Sequence, residues 1–382
     1  MAREYGTSVL VCTDSRLATS DQLHELRGLL EEQGMTVEIY GDTQPELPIP
    51  GIMACVNQVS GRQIDVVIGL GGGSCMDMAK VVSVLLTHGG TPKDYFGEFA
   101  VPGPTIPVIA VPTTAGTGSE VTAVAVVSDP ELGMKMGIAS PHIIPVAAVC
   151  DPTLTATCPP ALTAATGADA FVHLVESYTA IAREPHPELA SERVFIGSGP
   201  LTDIFAIEGL RLVGRSLVRA YQYPDDVAAR GDMMLAALYG GLALSNAGTA
   251  AAHAIQYPVG ALTNTPHGVG VGLLLPYVVR YNFHTITPQL AQIAVALGQE
   301  TQGMSEADAA KAGVNAIDEI LTNIGIPATL AEIGVTEADL PRIAELSQNS
   351  RRLVENNPVP LEISDLTAIV RAAFIGDRSF AN

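Results

Sequence analysis

The sequence predicts an α/β domain with a parallel sheet, followed by an all-helical domain. Short β-branched apolar runs alternate with helical patterns in the first part of the chain, and long helical patterns with little strand signal fill the second part. The 382 residues are enough for two hydrophobic cores, and 47% hydrophobic against 16% charged residues is typical of buried globular structure. We expect the boundary near residue 156, giving domains 1–156 and 157–382.

Three apolar runs begin the predicted sheet. SVLVC (8–12), MTVEIYG (35–41) and DVVIGL (65–70) predict strands, and helical patterns at 21–34 and 51–61 lie between them. Strands that alternate with helices through short connections predict right-handed crossovers in a Rossmann-like, doubly wound sheet.

The helical half begins at Cys158, where prolines precede a long apolar pattern, PPALTAATGADAFVHLVESYTAIA. Further helices are predicted at 201–222, 225–248, 288–299, 305–324 and 363–374.

Charge and cysteine content restrict the function classes. The net charge of −20 opposes binding to nucleic acid or to an anionic membrane. Five cysteines without a CxxC pair favour buried thiols in a reducing compartment. No signal-peptide pattern is found at the N-terminus, and the apolar runs are too short or too interrupted to span a bilayer. We therefore expect a soluble, cytoplasmic protein with neither nucleic acid nor membrane as partner.

A candidate metal site is centred on Asp169 and His173. Their spacing places both side chains on one helix face, one turn apart, and carboxylate plus imidazole is a ligand set for divalent metals. His253 in AAAHAIQYP and His267 in NTPHGVG are candidates for the third and fourth ligands. A hydrogen-bonded pair on a helix surface is the alternative for Asp169 and His173.

A glycine-rich run joins the third predicted strand to a helix. In GLGGGSCMDMAK, Gly72 and Gly73 lack side chains that would keep a phosphate away from the backbone, and the helix N-terminus adds partial positive charge. The run departs from GxGxxG because Ser74 stands where the third glycine belongs. A phosphate-binding loop and an ordinary glycine-rich turn both remain open.

The next strand ends in a hydroxyl-rich loop, PTTAGTGSE (112–120), which is suited to ribose or pyrophosphate contacts, with an ordinary Ser/Thr-rich turn as the alternative. Lys135 is a lone cation in an apolar stretch, either on the surface or facing a negatively charged cofactor group. The polar segment 183–200 is long for a loop in a compact domain. The candidates for contacting an anionic substrate, with solvated charges as the alternative, are Arg183, His186 and Arg193.

These motifs resemble the iron-containing (group III) family of metal-dependent alcohol dehydrogenases. The matching stretches cover essentially the whole chain: GGGSCMDMAK, PTTAGTGSEVT, LTAATGADAFVHLVESY, PLTDIFAIEGLRL and NTPHGVGVGLLLPYVVRYN. The resemblance implies a dehydroquinate synthase-like two-domain fold, with an NAD(P)-binding α/β domain, a helical metal-binding domain and an active site in the cleft between them.

Family positions imply roles for individual residues. The implied metal ligands are Asp169, His173, His253 and His267. The implied cofactor contacts are Asp14, Gly72, Gly73, Ser74, Asp77, Thr113, Thr114, Thr117 and Lys135. Asp14 matches the position that faces the adenine ribose, where a carboxylate repels a 2′-phosphate, so NAD is favoured over NADP. The implied metal is divalent, with Fe²⁺ favoured and Zn²⁺ or others tolerated.

The implied reaction is hydride transfer between NAD(H) and a small primary alcohol or aldehyde. His267 and Tyr257 are the candidate catalytic residues, and a homo-oligomer, most simply a dimer, is expected. Alternatives are a 4-hydroxybutyrate dehydrogenase or hydroxyacid–oxoacid transhydrogenase acting on a carboxylate-bearing substrate, a maleylacetate reductase-like enzyme and a dehydroquinate synthase-like lyase.

Three departures from the family pattern affect these expectations. Tyr257 stands where many members have a further histidine, near the substrate or proton path. The N-terminal extension before the first strand is short, and Gln44-Pro45 replaces an Asn-Pro pair after the second strand.

Overall fold

The computed structural model describes residues 1–131 and 134–379. The strands in these residues are β1 (Ser8–Cys12), β2 (Thr36–Tyr40), β3 (Val66–Gly71), β4 (Gly97–Glu98), β5 (Val108–Pro112), β6 (Val124–Asp129), β7 (Met134–Ala139) and β8 (Ala147–Ala148). The helices up to the middle of the chain are α1 (Ala2–Tyr5), α2 (Asp21–Glu32), α3 (Ile49–Gln58), α4 (Gly73–His88), α5 (Pro160–Thr179), α6 (Leu189–Glu192) and α7 (Pro200–Gln222). The later helices are α8 (Val227–Ala247), α9 (Ala251–Thr263), α10 (His267–Tyr281), α11 (Thr287–Ala296), α12 (Glu306–Asn323), α13 (Leu340–Asn349), α14 (Arg351–Val354) and α15 (Ile363–Ile375).

Two compact units are formed by these elements. Unit 1 comprises Met1–Thr114, Gly118–Thr155 and Ser191–Val194, and unit 2 comprises Ala115–Thr117 and Ala156–Ala190, together with the chain from Phe195 onward. All the strands of the described residues lie in unit 1, and long helices build unit 2. The predicted fold class, a parallel α/β sheet followed by an all-helical part, is confirmed.

The main sheet of unit 1 has the strand order β2-β1-β3-β5-β8, and all of its neighbouring pairs are parallel. From β1 the chain goes outward to β2 and then returns to the other side of β1 as β3. Strand order therefore reverses between β1 and β3, and the carboxyl ends of strands at such a point form the usual ligand crevice of an open α/β sheet. The glycine-rich run follows β3, so it lies at this crevice although β3 is the third strand along the chain.

Both faces of the main sheet are covered, which explains the continuous apolar strands. Leu10 and Val67 pack in one core with α3 and α4, and Val11 and Ile68 pack in a second core with α2. A second, three-stranded sheet of order β4-β7-β6, in which β6 and β7 are antiparallel, lies in unit 1 and was not predicted.

Unit 2 is built around one hydrophobic core, to which α5 and α7–α15 contribute. By length and composition, helix α8 could cross a membrane, but 56% of its apolar segment is buried inside the protein. Its Met233 and Ala243 belong to the core of unit 2. Helix α8 is therefore a core helix of unit 2.

Candidate metal and cofactor sites

Helix α5 presents Asp169 and His173 as the sequence predicts. It is buried along most of its length, and His173 Nε2 lies 3.4 Å from Asp169 Oδ1. Helix α10 packs closely on α5 at Gly268, where a Cβ would lie 1.9 Å from the carbonyl oxygen of Ala165. Because Gly268 directly follows His267, this close approach places His267 beside Asp169.

The two later histidines reach the same carboxylate oxygen. His253 Nε2 lies 3.8 Å from Asp169 Oδ1, and His267 Nε2 lies 3.6 Å from it. The ligand atoms of these three residues all lie within 4.8 Å of one another. With His173 they form what we call the histidine cluster (Asp169, His173, His253 and His267). The His267 side chain is 29% exposed and that of His253 is 4% exposed, so the cluster opens to solvent on the His267 side.

The histidine cluster has the electrostatics of a cation site. Within the described residues, Asp169 Oδ1 and His253 Nε2 are buried atoms without a hydrogen-bond partner. Burial lowers the pKa of His173, an effect that Asp169 opposes, so a neutral imidazole is favoured. One carboxylate and neutral imidazoles fit Fe²⁺, Zn²⁺ and similar divalent ions. A bound cation would satisfy the Asp169 oxygen and the imidazole lone pairs together.

Two further side chains border the histidine cluster. The Tyr257 ring, half-buried on α9, has its centroid 6.2 Å from that of the His267 ring. Glu176 lies one turn beyond His173 on α5, and its Oε2 is 2.6 Å from His253 Nδ1. Sequence reasoning missed Glu176. The available signal was a carboxylate in an apolar helix, on the same face as Asp169 and His173.

In unit 1, the glycine-rich run forms a tight turn from β3 into α4. Gly71 has a φ of +147°, and a Cβ on it would lie 2.5 Å from Cys75 Sγ. A Cβ on Gly69 would lie 2.8 Å from the Cα of Met76, so this glycine permits close packing of helix and strand. Gly72, which precedes the helix, is next to Thr114, since a Cβ on Gly72 would lie 3.5 Å from Thr114 Oγ1. The glycine-rich run and the hydroxyl-rich loop therefore adjoin.

Ser74 and Lys135 are brought together by Glu46. Ser74 Oγ accepts a hydrogen bond from the Glu46 N–H (3.2 Å), and Lys135 Nζ lies 2.8 Å from Glu46 Oε1. Glu46 has a φ of +63°, a region that few residues other than glycine adopt. Glu46 was not predicted as a site residue.

Asp14 follows β1, and its Oδ1 accepts a hydrogen bond from the Leu17 N–H (2.8 Å).

Asp77 uses both carboxylate oxygens inside unit 1. Its Oδ1 accepts from Ser119 Oγ (2.5 Å), and its Oδ2 accepts from the Val126 N–H (2.9 Å). Burial raises the pKa of Asp77, an effect that nearby Lys80 opposes. Asp77 therefore holds both Ser119 of the hydroxyl-rich loop and the strand β6 that follows the loop.

Lys80 is fully buried next to Asp77 and was not predicted as a site residue. Its Nζ donates to Ser119 Oγ, Thr122 O, Thr122 Oγ1 and Val124 O over 2.8–3.1 Å. We call Lys80, Asp77, Ser119 and Thr122 the lysine cluster. It holds α4 against the chain that follows the hydroxyl-rich loop.

The hydroxyl-rich loop is divided between the two units. Thr113 is buried and Thr114 half-buried in unit 1, whereas Ala115–Thr117 group with unit 2. Gly116 packs on α5, where a Cβ would lie 2.7 Å from Thr166 Cβ. Thr117 therefore groups with the histidine cluster, and the other predicted cofactor residues group in unit 1.

Comparison with known proteins identifies the family. The family model for iron-containing alcohol dehydrogenase matches residues 1–152, and that for the C-terminal part of the Fe-containing alcohol dehydrogenase family matches residues 163–374. The chain belongs to the iron-containing alcohol dehydrogenase family. The resemblance seen in the motifs is thereby confirmed.

Relatives agree over nearly the full length. Long-chain-alcohol dehydrogenase 1 of Geobacillus thermodenitrificans is 35% identical over 96% of this chain and 90% of its own. NAD-dependent methanol dehydrogenase of Bacillus methanolicus is 32% identical over 95% of this chain and 91% of its own. A crystal structure of 1,3-propanediol oxidoreductase is similar with a TM-score of 0.89 and 33% identity, over 96% of this chain and 92% of its own.

Membership in this family makes the protein an oxidoreductase of the iron-type alcohol dehydrogenases, with an NAD-linked reaction of alcohols or aldehydes. A divalent metal, with Fe²⁺ favoured, and NAD(H) are the cofactors that the family implies. The predicted enzyme class and cofactors are confirmed.

Proposed function

We propose that the histidine cluster holds the divalent metal of an NAD(H)-linked enzyme acting on small primary alcohols or aldehydes. One observation carries this proposal: the buried Asp169 Oδ1, without a hydrogen-bond partner in the described residues, has three imidazole Nε2 atoms at 3.4–3.8 Å. A metal held there would polarise the substrate oxygen as a Lewis acid, and NAD(H) would take up or supply the hydride.

The histidine cluster itself contributes position and charge. Asp169 neutralises part of the cation's charge, and the rigid α5 fixes the spacing of Asp169 and His173. His267, the more exposed member, would be the ligand on the side from which a substrate reaches the metal. Tyr257 borders His267 and would hold or release a proton on that side. His267 and Tyr257 are therefore the candidate catalytic residues.

Most of the residues that would contact the cofactor belong to unit 1. The N–H groups at Gly72, Gly73 and Ser74 would bind the pyrophosphate, since they lie at the start of α4 and at the reversal point of the sheet. Asp14, at the carboxyl end of β1, accepts from the adenine ribose hydroxyls. Further contacts come from Thr113, Thr114, Thr117 and Lys135, and Asp77 acts through Ser119.

In this proposal residues 1–156 bind NAD(H) and residues 157–382 hold the metal and substrate. The enzyme acts in the cytoplasm as a homo-oligomer, most simply a dimer, on a small-molecule alcohol or aldehyde. The net charge of −20 supports the absence of nucleic-acid and membrane partners.

The test is NADH absorbance with short alcohols, aldehydes and hydroxyacids, after metal removal by EDTA and re-addition of single metals. We expect metal-restored turnover of simple alcohols or aldehydes. His267→Ala should abolish it without loss of the fold, while His284→Ala, at an exposed histidine of the same unit, should not change it. Full activity of His267→Ala with stoichiometric metal would refute the proposed site. Turnover confined to hydroxyacids would refute the proposed substrate class.

A further inference from the structure

Glu176 makes three hydrogen bonds at the junction of α5 and α9. Its Oε2 accepts from the Ala250 N–H (2.8 Å) and lies 2.6 Å from His253 Nδ1, and its Oε1 accepts from the Ala252 N–H (2.7 Å). All four residues are buried. One carboxylate therefore contacts both the backbone and a side chain of the first turn of α9.

The backbone contacts fix where α9 begins. Ala250 is the residue before the helix and has no side chain that caps it, so the first N–H groups need acceptors from elsewhere. Glu176 supplies them from α5. The start of α9, and with it the Cα of His253, is thereby fixed relative to Asp169 and His173, which lie on the same face of α5 as Glu176.

The contact with the ring fixes which nitrogen carries the proton. A carboxylate that receives two backbone N–H groups acts as an acceptor, so His253 Nδ1 must donate to it. A neutral imidazole with its proton on Nδ1 has its lone pair on Nε2. That atom faces Asp169 Oδ1 at 3.8 Å and has no hydrogen-bond partner within the described residues.

We infer that Glu176 is a positioning residue of the metal site, which holds His253 in the Nδ1–H tautomer with Nε2 free to bind a cation. A carboxylate behind a metal-binding histidine orients the ring and makes it more basic, and its loss weakens metal binding about 10- to 100-fold. The inference rests on the proposed metal site for its effect on affinity. The effect on the tautomer does not depend on the metal.

Glu176→Gln tests the inference with almost no change of shape. Ala250 and Ala252 bond different oxygens of Glu176, whereas the amide has only one acceptor oxygen. Where that oxygen takes the Oε1 place and keeps the bond from Ala252, the NH₂ group takes the Oε2 place and faces His253 Nδ1. The ring must then carry its proton on Nε2, where the cation would bind. We expect Zn²⁺ affinity, measured by competition with a chelator, to fall about 10- to 100-fold. Glu319→Gln, an exposed position on α12, should leave it unchanged.

The tautomer is measured by NMR on the metal-free full chain with isotope-labelled histidine, the His253 signals being assigned by their loss in His253→Gln. We expect Nδ1–H in the wild type and Nε2–H in Glu176→Gln. A wild-type ring protonated on Nε2 would overturn the inference, and this result needs no variant of Glu176 to fold. Lower stability of Glu176→Gln with unchanged tautomer and Zn²⁺ affinity would show a capping role alone and would also overturn it. No Zn²⁺ binding by the wild type would instead refute the proposed metal site.

Discussion

The two buried polar clusters differ in how their atoms are paired. In the lysine cluster of unit 1, Lys80 Nζ has four acceptors within 3.1 Å, and both oxygens of Asp77 are hydrogen-bonded. In the histidine cluster of unit 2, Asp169 Oδ1 and His253 Nε2 have no hydrogen-bond partner in the part of the chain that the structure describes. Lys80, Asp169 and His253 are all buried, but only the polar atoms around Lys80 are fully hydrogen-bonded.

This difference separates a structural cluster from a ligand site. An unpaired buried polar atom costs about 1–3 kcal/mol, so a folded protein retains several together only where something else repays that cost. In unit 1 the protein supplies every partner of Lys80 Nζ, and the cluster stabilises the fold. In unit 2 the proposed metal supplies the partner. Mutations in the two clusters should therefore act in opposite ways on the metal-free protein.

Asp169→Asn should have the largest effect, and on function alone. The amide lacks the charge that neutralises a cation, so we expect metal affinity and metal-dependent turnover to fall at least about 100-fold. The metal-free protein should keep its stability or gain up to about 1 kcal/mol, because a buried unpaired charge is removed. Element analysis after dialysis measures the bound metal. Urea unfolding of the metal-free protein measures its stability.

Asp225→Asn, at an exposed aspartate of the same unit, is the control and should change neither metal content nor stability. If Asp169→Asn destabilised the metal-free protein by more than about 2 kcal/mol, the histidine cluster would resemble the lysine cluster, and the contrast would be lost.

Lys80→Met should act on stability. The change removes the cationic partner of the buried Asp77 carboxylate and the donor to the oxygens around Lys80 Nζ, and the loss of one partner of a buried ion pair costs about 3–5 kcal/mol. Urea unfolding without metal or cofactor measures the loss, and Lys311→Met, at a lysine whose side chain is 52% exposed, is the matched control. A loss below about 1 kcal/mol would mean that the lysine cluster does not hold unit 1 together. Adding Asp77→Asn should recover part of the loss, since the buried Asp77 carboxylate that has lost its cationic partner is then removed.

The sequence predicts those parts of the molecule that depend on local patterns. The bounds of β1, α2 and β3 agree with the predicted segments to within two residues, because apolar periodicity is a property of neighbouring residues. Helices α9 and α10 are not evident in the same way, since Pro258 and Pro276 lie inside them. Proline disfavours a helix locally, and here the burial of both helices in the core of unit 2 outweighs that preference.

Sequence reasoning finds those residues of the candidate site whose side-chain type itself indicates a chemical role. It misses those whose role depends on contacts in the folded chain. Histidines and an aspartate at helical spacing point to a metal, and the structure brings all four together. Glu176 and Lys80 carry charges that are ordinarily on the surface. The role of Glu176 is visible only from the start of α9, and that of Lys80 only from the carbonyl groups around its Nζ. In both cases the partner segment is distant in sequence. Glu46 is missed for the same reason, because β7 carries its partner Lys135.

The smallest expected effect is a pH dependence of the lysine cluster. Burial lowers the pKa of Lys80 from 10.5 to about 8, while Asp77 and Glu120 oppose the shift. Between these values the unfolded chain holds the Lys80 proton and the folded protein has released it, so this group makes the folded state more stable as pH rises. Below pH 8 both states hold the proton, and Lys80 adds no slope.

The free energy of unfolding of the wild type minus that of Lys80→Met should therefore grow from pH 8 to pH 10, by at most about 1.4 kcal/mol per pH unit, and stay level from pH 6 to pH 7. Tyrosine and cysteine titrations occur in both proteins and cancel in the difference. A difference that is flat or falls above pH 8 would mean that the four acceptors around Lys80 keep it charged at a normal pKa. The lysine cluster would then compensate fully for burial, and its contrast with the histidine cluster would be sharper still.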